Sequence, residues 1–208
     1  SNTAPDVIFI NNQYLPIYAN AGVLEDLSTY KNEFEYNKFF PIAIDTLSYQ
    51  KKMYAIPRDV STLVVFYNKD IFDKYNVRYP NKNWTINDLL TTSQKLTHAP
   101  NIFGISFEEE PLFYLPYLNY FGVTDLSENT TQMQNGLNFY ANLRNKYHVA
   151  PKREEIASAT MAQLFLQGKL GMHISGRWLV PKYRQEAKFR WDIVKFPDKN
   201  GVPSAPVD

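Results

Sequence analysis

Residues 54–90 constrain the fold of this chain more than any other stretch. A polar loop at 57–61 runs directly into an apolar, β-branched run at 63–67, which predicts a buried strand. The residues at 68–70 end that strand, and the pattern behind them predicts two helices, the second opening at 84–85. The stretch therefore predicts a strand that leaves one domain and enters another, with a polar loop at the junction where a ligand could bind.

Composition and charge exclude several classes of function. The chain contains no cysteine, which rules out disulfides, thiolate zinc sites and a cysteine nucleophile. Its 22 Lys and Arg are scattered among 21 Asp and Glu, so the net charge is +1 and no basic stripe is present. We therefore expect no nucleic acid partner. No apolar run approaches the length of a membrane span, and no signal peptide or lipobox is recognised.

Catalytic motifs are also missing from the sequence. The three histidines, His98, His148 and His173, lack the spacing of metal ligands. No nucleophile elbow, phosphate-binding loop or dinucleotide glycine fingerprint is found. We therefore expect neither a metal nor a cofactor.

Predicted strands and helices alternate along the chain. Residues 5–10 predict a short buried strand, because they form an apolar run without alternation, as in a sheet covered on both faces. Besides the run at 63–67, strands are predicted at 54–56, 101–107, 171–174 and 191–196. Helices are predicted at 15–21 (closed by Gly22), 37–47, 70–75, 85–97, within 108–121, and at 131–147, 159–167 and 178–188. The alternation predicts an α/β fold with mainly parallel strand pairing.

Four blocks in order carry a family resemblance. They are residues 5–10 with A-G-V-L-E-D-L at 21–27, the junction at 54–70, F-L-Q-G-K-L-G-M-H-I-S-G-R-W at 165–178, and W-D-I-V at 191–194 followed by Pro197. Together they resemble the extracellular solute-binding proteins of ABC transporters, in the sugar-binding family that includes maltose-binding protein. The resemblance implies a periplasmic-binding-protein-like class II fold, truncated at both ends, with two lobes of mainly parallel sheets joined by a hinge. Residues 1–62 would form part of the first lobe and residues 63–208 most of the second.

The same resemblance implies a function. The protein would be a non-enzymatic, carbohydrate (oligosaccharide) binding subunit of an ABC importer. It would close about a hinge at residues 61–65 and deliver its ligand to the permease subunits in the membrane. Such proteins work outside the cytoplasm, in the extracellular or periplasmic space, and the full-length form would be anchored as a lipoprotein. An uncovered sheet edge near residues 7–10 would favour self-association.

Ligand contacts are implied on both lobes. Sugar-binding proteins stack aromatic rings on the apolar faces of a sugar and hydrogen-bond its hydroxyls with planar polar side chains. In the first lobe the resemblance implies contacts from Asn11, Asn12, Gln13, Tyr14, Asp59 and Ser61. Two structural alternatives stay open: the turn at 11–14 could serve only as a cap, and Asp59 could pair with Arg58.

In the second lobe the resemblance implies contacts from Glu110, Phe113 and Trp178. Glu110 and Phe113 belong to an acidic-Pro-aromatic loop in which Leu112 stands at the family's aromatic position. Trp178 follows a small-residue turn at 175–176 and would form the stacking platform, the alternative being an indole packed in the core. A rival function is a glycoside hydrolase with Glu110 and Asp59 as acid and base, which needs two carboxylates facing each other across the sugar.

Overall fold

The computed structural model describes residues 4–123, 126, 130–156, 159–199 and 204, except the side chain of Arg153. The chain divides into two compact units, the first ending at Ser61 and the second beginning at Thr62. Helices and strands are present in both units, and the second unit is built on a four-stranded sheet. The predicted α/β class is confirmed.

The first unit consists of short elements. These are the helices α1 (Leu15–Asn20) and α2 (Pro41–Thr46) and the strands β1 (Ser48–Tyr49) and β2 (Lys52–Met53). Gly22 has a φ of +68°, a conformation that ends a helix readily when no Cβ is present, so its predicted role behind α1 is confirmed. The two strands form a hairpin through Gln50 and Lys51, both with positive φ.

The predicted strand at residues 5–10 is wrong. The segment has no strand pairing among the described residues, and the side chain of Phe9 is 83% exposed. An apolar run becomes a strand only where a neighbouring strand takes its backbone hydrogen bonds, and no described strand lies beside this one. The strand predicted at 54–56 is likewise missing from the structure.

The second unit holds most of the regular structure. Its strands are β3 (Leu63–Asn68), β4 (Phe103–Ser106), β5 (Leu170–Gly176) and β6 (Trp191–Lys195). Its helices are α3 (Lys69–Lys74), α4 (Ile86–Leu96), α5 (Pro111–Tyr120), α6 (Thr131–Asn145), α7 (Arg153–Ile156), α8 (Met161–Leu166) and α9 (Val180–Glu186). Several begin with a polar cap: Asn68 accepts from the first turn of α3, and Thr85 forms a capping box with Asp88 on α4.

The sheet of the second unit has the strand order β4-β5-β3-β6. β4 pairs with β5 in parallel, whereas β3 pairs antiparallel with β5 on one side and β6 on the other. The expectation of mainly parallel pairing is therefore wrong. β4, β5 and β6 all run in one direction, as alternation with helices predicts, but β3 runs against them from the centre of the sheet and turns two of the three pairings antiparallel.

Two hydrophobic clusters flank β3. Leu63, Val65 and Tyr67 belong to the larger cluster, and Phe66 belongs to the smaller one with Phe165. The strand predicted at 63–67 is thus confirmed, and its unbroken apolar sequence follows from burial on both faces. In the smaller cluster the ring of Phe66 meets those of Phe165, His173, Tyr183 and Trp191, with centroids 4.9–6.4 Å apart.

Candidate functional site

The turn behind β5 carries the most prominent exposed ring of the second unit. All residues of β5 are buried, and the chain then passes through a 3-10 turn at Arg177–Leu179 before α9 begins. The side chain of Trp178 is 45% exposed. The indole lies in contact with solvent rather than in the core, so the alternative of a core tryptophan is not what the structure shows.

Gly176 lets the indole of Trp178 lie directly on the backbone. A Cβ at position 176 would stand 1.8 Å from the indole carbon Cζ3 and 1.9 Å from Cε3. No side chain can occupy that space, so only glycine allows this ring position. The end of β5 covers the indole on the side of Gly176. An indole is a flat apolar ring of the kind that can stack on a sugar.

The loop behind β4 leaves the sheet at the same edge as the Trp178 turn. Ser106, the last residue of β4, lies in parallel register with His173 on β5, and Gly176 is in register with Leu63 at the start of β3. The backbone N–H of Arg177 donates to the carbonyl of Thr62 at 3.4 Å. Clefts at the carboxyl ends of parallel strands are the usual ligand sites of α/β folds.

The three acidic residues after β4 have different environments. Glu110 is exposed and is the N-cap of α5, without a capping bond from its side chain. Glu109 forms an ion pair with Arg144 at 2.7 Å. Glu108 is half-buried; burial raises the pKa of its carboxyl, and a hydrogen bond from the backbone N–H of Met161 opposes that rise. Glu110 is thus the one whose carboxylate stands at the surface as an acceptor for a ligand.

Phe113 does not share that surface. Its side chain is 4% exposed and belongs to the larger core cluster. A ring buried in the core offers no face for stacking, which speaks against the ligand contact predicted for Phe113. Its neighbour Tyr114 is half-buried and packs edge-on against Tyr140.

The residues predicted in the first unit form two separate local structures. Asn11 is the N-cap of a 3-10 turn at Asn12–Tyr14, and the N–H of Tyr14 donates to the carbonyl of Asn11. Tyr14 is 42% exposed, and Gln13 has a buried Oε1 without a hydrogen-bond partner among the described residues. At this turn Asn11 and Tyr14 are therefore the exposed members of the predicted set, whereas the Oε1 of Gln13 is enclosed.

Asp59 is held by its neighbour, as the structural alternative predicted. Its carboxylate accepts from Arg58 at 2.7 and 2.9 Å, and the guanidinium of Arg58 lies over the ring of Phe9 at 4.9 Å. Within the first unit these residues border a concavity of about 250 Å³, lined by Lys38, Phe39, Phe40, Ala43, Pro57, Arg58, Asp59 and Val60. Ser61, the last residue of this unit, is half-buried.

A buried polar pair lies beneath the Trp178 turn, and sequence analysis missed it. Nδ1 of His173 and the hydroxyl of Tyr183 are hydrogen-bonded at 2.7 Å inside the smaller aromatic cluster. Burial lowers the pKa of His173 to about 3, and burial followed by the charge of Glu108 raises that of Tyr183. Both groups are thus neutral at pH 7. No local spacing marks the pair, because one residue is on a strand and the other on a helix.

Lowering the pH from 6.5 towards 3 should lower the free energy of unfolding through His173. The imidazole of the unfolded chain titrates near 6.5, whereas in the folded protein its pKa is about 3. Between these pH values the unfolded chain binds a proton that the folded protein excludes. The contribution of neutral His173 to the free energy of unfolding is therefore complete above pH 6.5 and is lost as the pH falls. The limiting slope is ~1.4 kcal/mol per pH unit.

Denaturant unfolding of the wild type and His173→Gln between pH 4 and 7 measures this contribution. The difference in unfolding free energy between the two proteins should shrink as the pH falls. Parallel pH profiles would show that His173 does not titrate differently on folding.

The described residues were compared with the requirements of a metal site and of a membrane-spanning helix. Among them, no group of three or more His, Asp or Glu side chains is arranged to hold a metal ion. No helix within this part of the chain has both the length and the apolarity needed to cross a bilayer.

Comparison with known proteins decides the family. The family model "Bacterial extracellular solute-binding protein" matches residues 1–208. The chain belongs to this family. This solute-binding protein resembles ABC substrate-binding protein Lmo0181 from Listeria monocytogenes, solved in complex with cycloalternan, with 29% identity and a TM-score of 0.77 over 95% of this chain and 53% of that one.

Curated relatives of this solute-binding protein agree with that likeness. The diacetylchitobiose binding protein DasA of Streptomyces coelicolor is 27% identical over 84% of this chain and 42% of its own length. The maltotriose-binding protein of Pyrococcus abyssi is 25% identical over 85% of this chain and 38% of its own length. The chain therefore spans less than half the length of these curated relatives. All are named as binding proteins, and no comparison supports the glycoside hydrolase alternative.

Proposed function

We propose that this protein is the carbohydrate-binding subunit of an ABC importer and that Trp178 is its stacking platform. The observation that carries the proposal is the half-exposed indole seated on Gly176 at the carboxyl edge of the sheet. A pyranose presents a patch of C–H groups on one face and hydroxyls around its rim. A flat ring with carboxylate or amide acceptors nearby recognises both.

The acceptors proposed for the rim are polar side chains on both units. Glu110 supplies an exposed carboxylate on the second unit. Asn11, Asn12, Gln13, Tyr14, Asp59 and Ser61 are the proposed contacts of the first unit. Asp59 has the weakest case, because a sugar hydroxyl would compete with its ion pair to Arg58. Phe113 is left out because of its burial.

The transport cycle is proposed from the family. Residues 1–62 form part of a first lobe and residues 63–208 most of a second, and the two close on the sugar about residues 61–65. The loaded form then docks on the permease subunits in the membrane, outside the cytoplasm, with a lipoprotein anchor on the full-length protein. The function is binding without catalysis. Among the described residues no sheet edge is found at 7–10, so the basis of the expected self-association is missing, and self-association itself is a prediction that light scattering checks.

Titration calorimetry on the complete gene product tests the function. Maltotriose, diacetylchitobiose and cycloalternan form the panel, because relatives of this chain are named for them or were solved with them. We expect saturable binding of at least one of these sugars and no reducing-end products after prolonged incubation. Failure of all three to bind, or release of products, would contradict the proposal.

A further inference from the structure

We propose that the buried hydrogen bond between His173 and Tyr183 positions the indole of Trp178, so that both are positioning residues for the platform. The part of this proposal that concerns sugar affinity rests on the proposed function. The part that concerns the ring position rests on the geometry of the second unit alone.

The bond ties the turn that carries Trp178 to the centre of the sheet. His173 lies three residues before Gly176 on β5, and Tyr183 lies on α9, five residues after Trp178. The 2.7 Å contact between Nδ1 and the hydroxyl therefore closes the chain segment that contains the 3-10 turn. A turn closed in this way has fewer arrangements available to it than one attached only through its ends.

His173, one partner of this hydrogen bond, is held in place by the sheet. On β5 it lies between Phe66 of β3 and Ser106 of β4, with neighbouring strands on both sides. Both members of the pair are buried, at 1% and 0% exposure. The second ring nitrogen of His173 has no hydrogen-bond partner among the described residues, so Tyr183 is the polar contact that orients the imidazole.

Tyr183 fixes the position of α9 relative to the sheet. Its ring packs against Phe66 and Phe165 with centroids 4.9 Å away in each case. These ring contacts limit the sideways movement of the Tyr183 side chain but do not fix its distance from β5. A hydrogen bond is directional, so the bond to His173 does fix that distance. Because α9 starts two residues after Trp178, a shift of the helix moves the indole across Gly176.

Tyr183→Phe is the variant that tests the tie, since it removes the hydroxyl and keeps the ring. Tyr117→Phe is the matched control: Tyr117 is also fully buried, and its hydroxyl has no partner among the described residues. The readout is the fluorine NMR spectrum of the complete protein labelled with 5-fluorotryptophan. Loss of one signal in Trp178→Phe assigns the resonance, and its shift between H2O and D2O reports the exposure of the ring.

We expect Tyr183→Phe to change the chemical shift, the line width and the solvent isotope shift of the Trp178 resonance. Tyr117→Phe should leave these three quantities unchanged. Affinity for maltotriose or diacetylchitobiose should fall about three- to tenfold, as when the competent arrangement drops to roughly a third or a tenth of the population. If Tyr183→Phe does not fold, the double variant His173→Leu/Tyr183→Phe replaces both partners by apolar groups and should show the same change.

The outcomes separate the two proposals. An unchanged Trp178 resonance in Tyr183→Phe overturns the positioning role, and so does an equal change in Tyr117→Phe, since that would mean general loosening of the core. Loss of affinity in Trp178→Ala together with an unchanged resonance in Tyr183→Phe leaves the proposed function standing alone. If Tyr183→Phe moves the Trp178 resonance but Trp178→Ala does not change sugar affinity, the positioning role of the hydrogen bond is supported and the role of Trp178 as stacking platform is contradicted.

Discussion

Replacing Trp178 by alanine should weaken sugar binding by about 1–3 kcal/mol, the range for truncation of a central aromatic anchor. This corresponds to a roughly 5- to 150-fold higher Kd. The free energy of unfolding should change much less, because 45% of the side chain is already exposed in the folded protein. Calorimetry on the complete protein, with the sugar that binds best in the panel, measures the first quantity and denaturant unfolding the second.

Trp84 provides the control for that experiment. It is buried and its Nε1–H donates to the carbonyl of Lys195 at 2.9 Å, so Trp84→Phe should lower stability and leave sugar affinity unchanged. If Trp178→Ala left the affinity unchanged and caused a large drop in melting temperature, the indole would have a structural role. The sugar would then bind elsewhere.

Phe66→Ala should lower the free energy of unfolding by about 3–5 kcal/mol. The ring is fully buried on an inner strand and meets four other rings, so its removal leaves a cavity that neighbours on four different elements would have to fill. Phe40→Ala is the comparison, since Phe40 is 70% exposed and should change stability by no more than about 0.5 kcal/mol. A loss below about 1 kcal/mol for Phe66→Ala would show that the cluster repacks around the cavity.

The sequence predicts those parts of the fold whose signals are local. The run at 63–67 is bounded by polar residues on both sides, and it forms β3. The helix at 85–97 has a capping box at its start and is found at Ile86–Leu96. Residues 5–10 also contain an apolar run, at 7–10, but form no strand, because pairing depends on a partner elsewhere. The direction of β3 is likewise decided by its neighbours and not by its own residues.

In the candidate site, too, features with a local signal could be predicted and features that depend on distant residues could not. The small-residue turn before Trp178, taken with the family resemblance, predicted an exposed indole, with a core tryptophan as the alternative. Phe113 was misplaced because α5 is apolar on nearly every side, so no periodicity distinguishes its buried face. The bond between His173 and Tyr183 joins a strand to a helix through side chains ten positions apart, and no helical or strand period connects such positions.

The place of β3 in the sheet also governs the order of events during synthesis. β3 ends at Asn68, but the first strand that pairs with it begins at Leu170. A ribosome adding about 5–20 residues per second needs roughly 5–20 s to cover that interval. Throughout it, the most apolar strand of the unit has both edges unpaired, the condition in which nascent chains aggregate. The segment at 63–67 is therefore where a chaperone would be needed most, and the sheet closes around it only when β5 and β6 have been made.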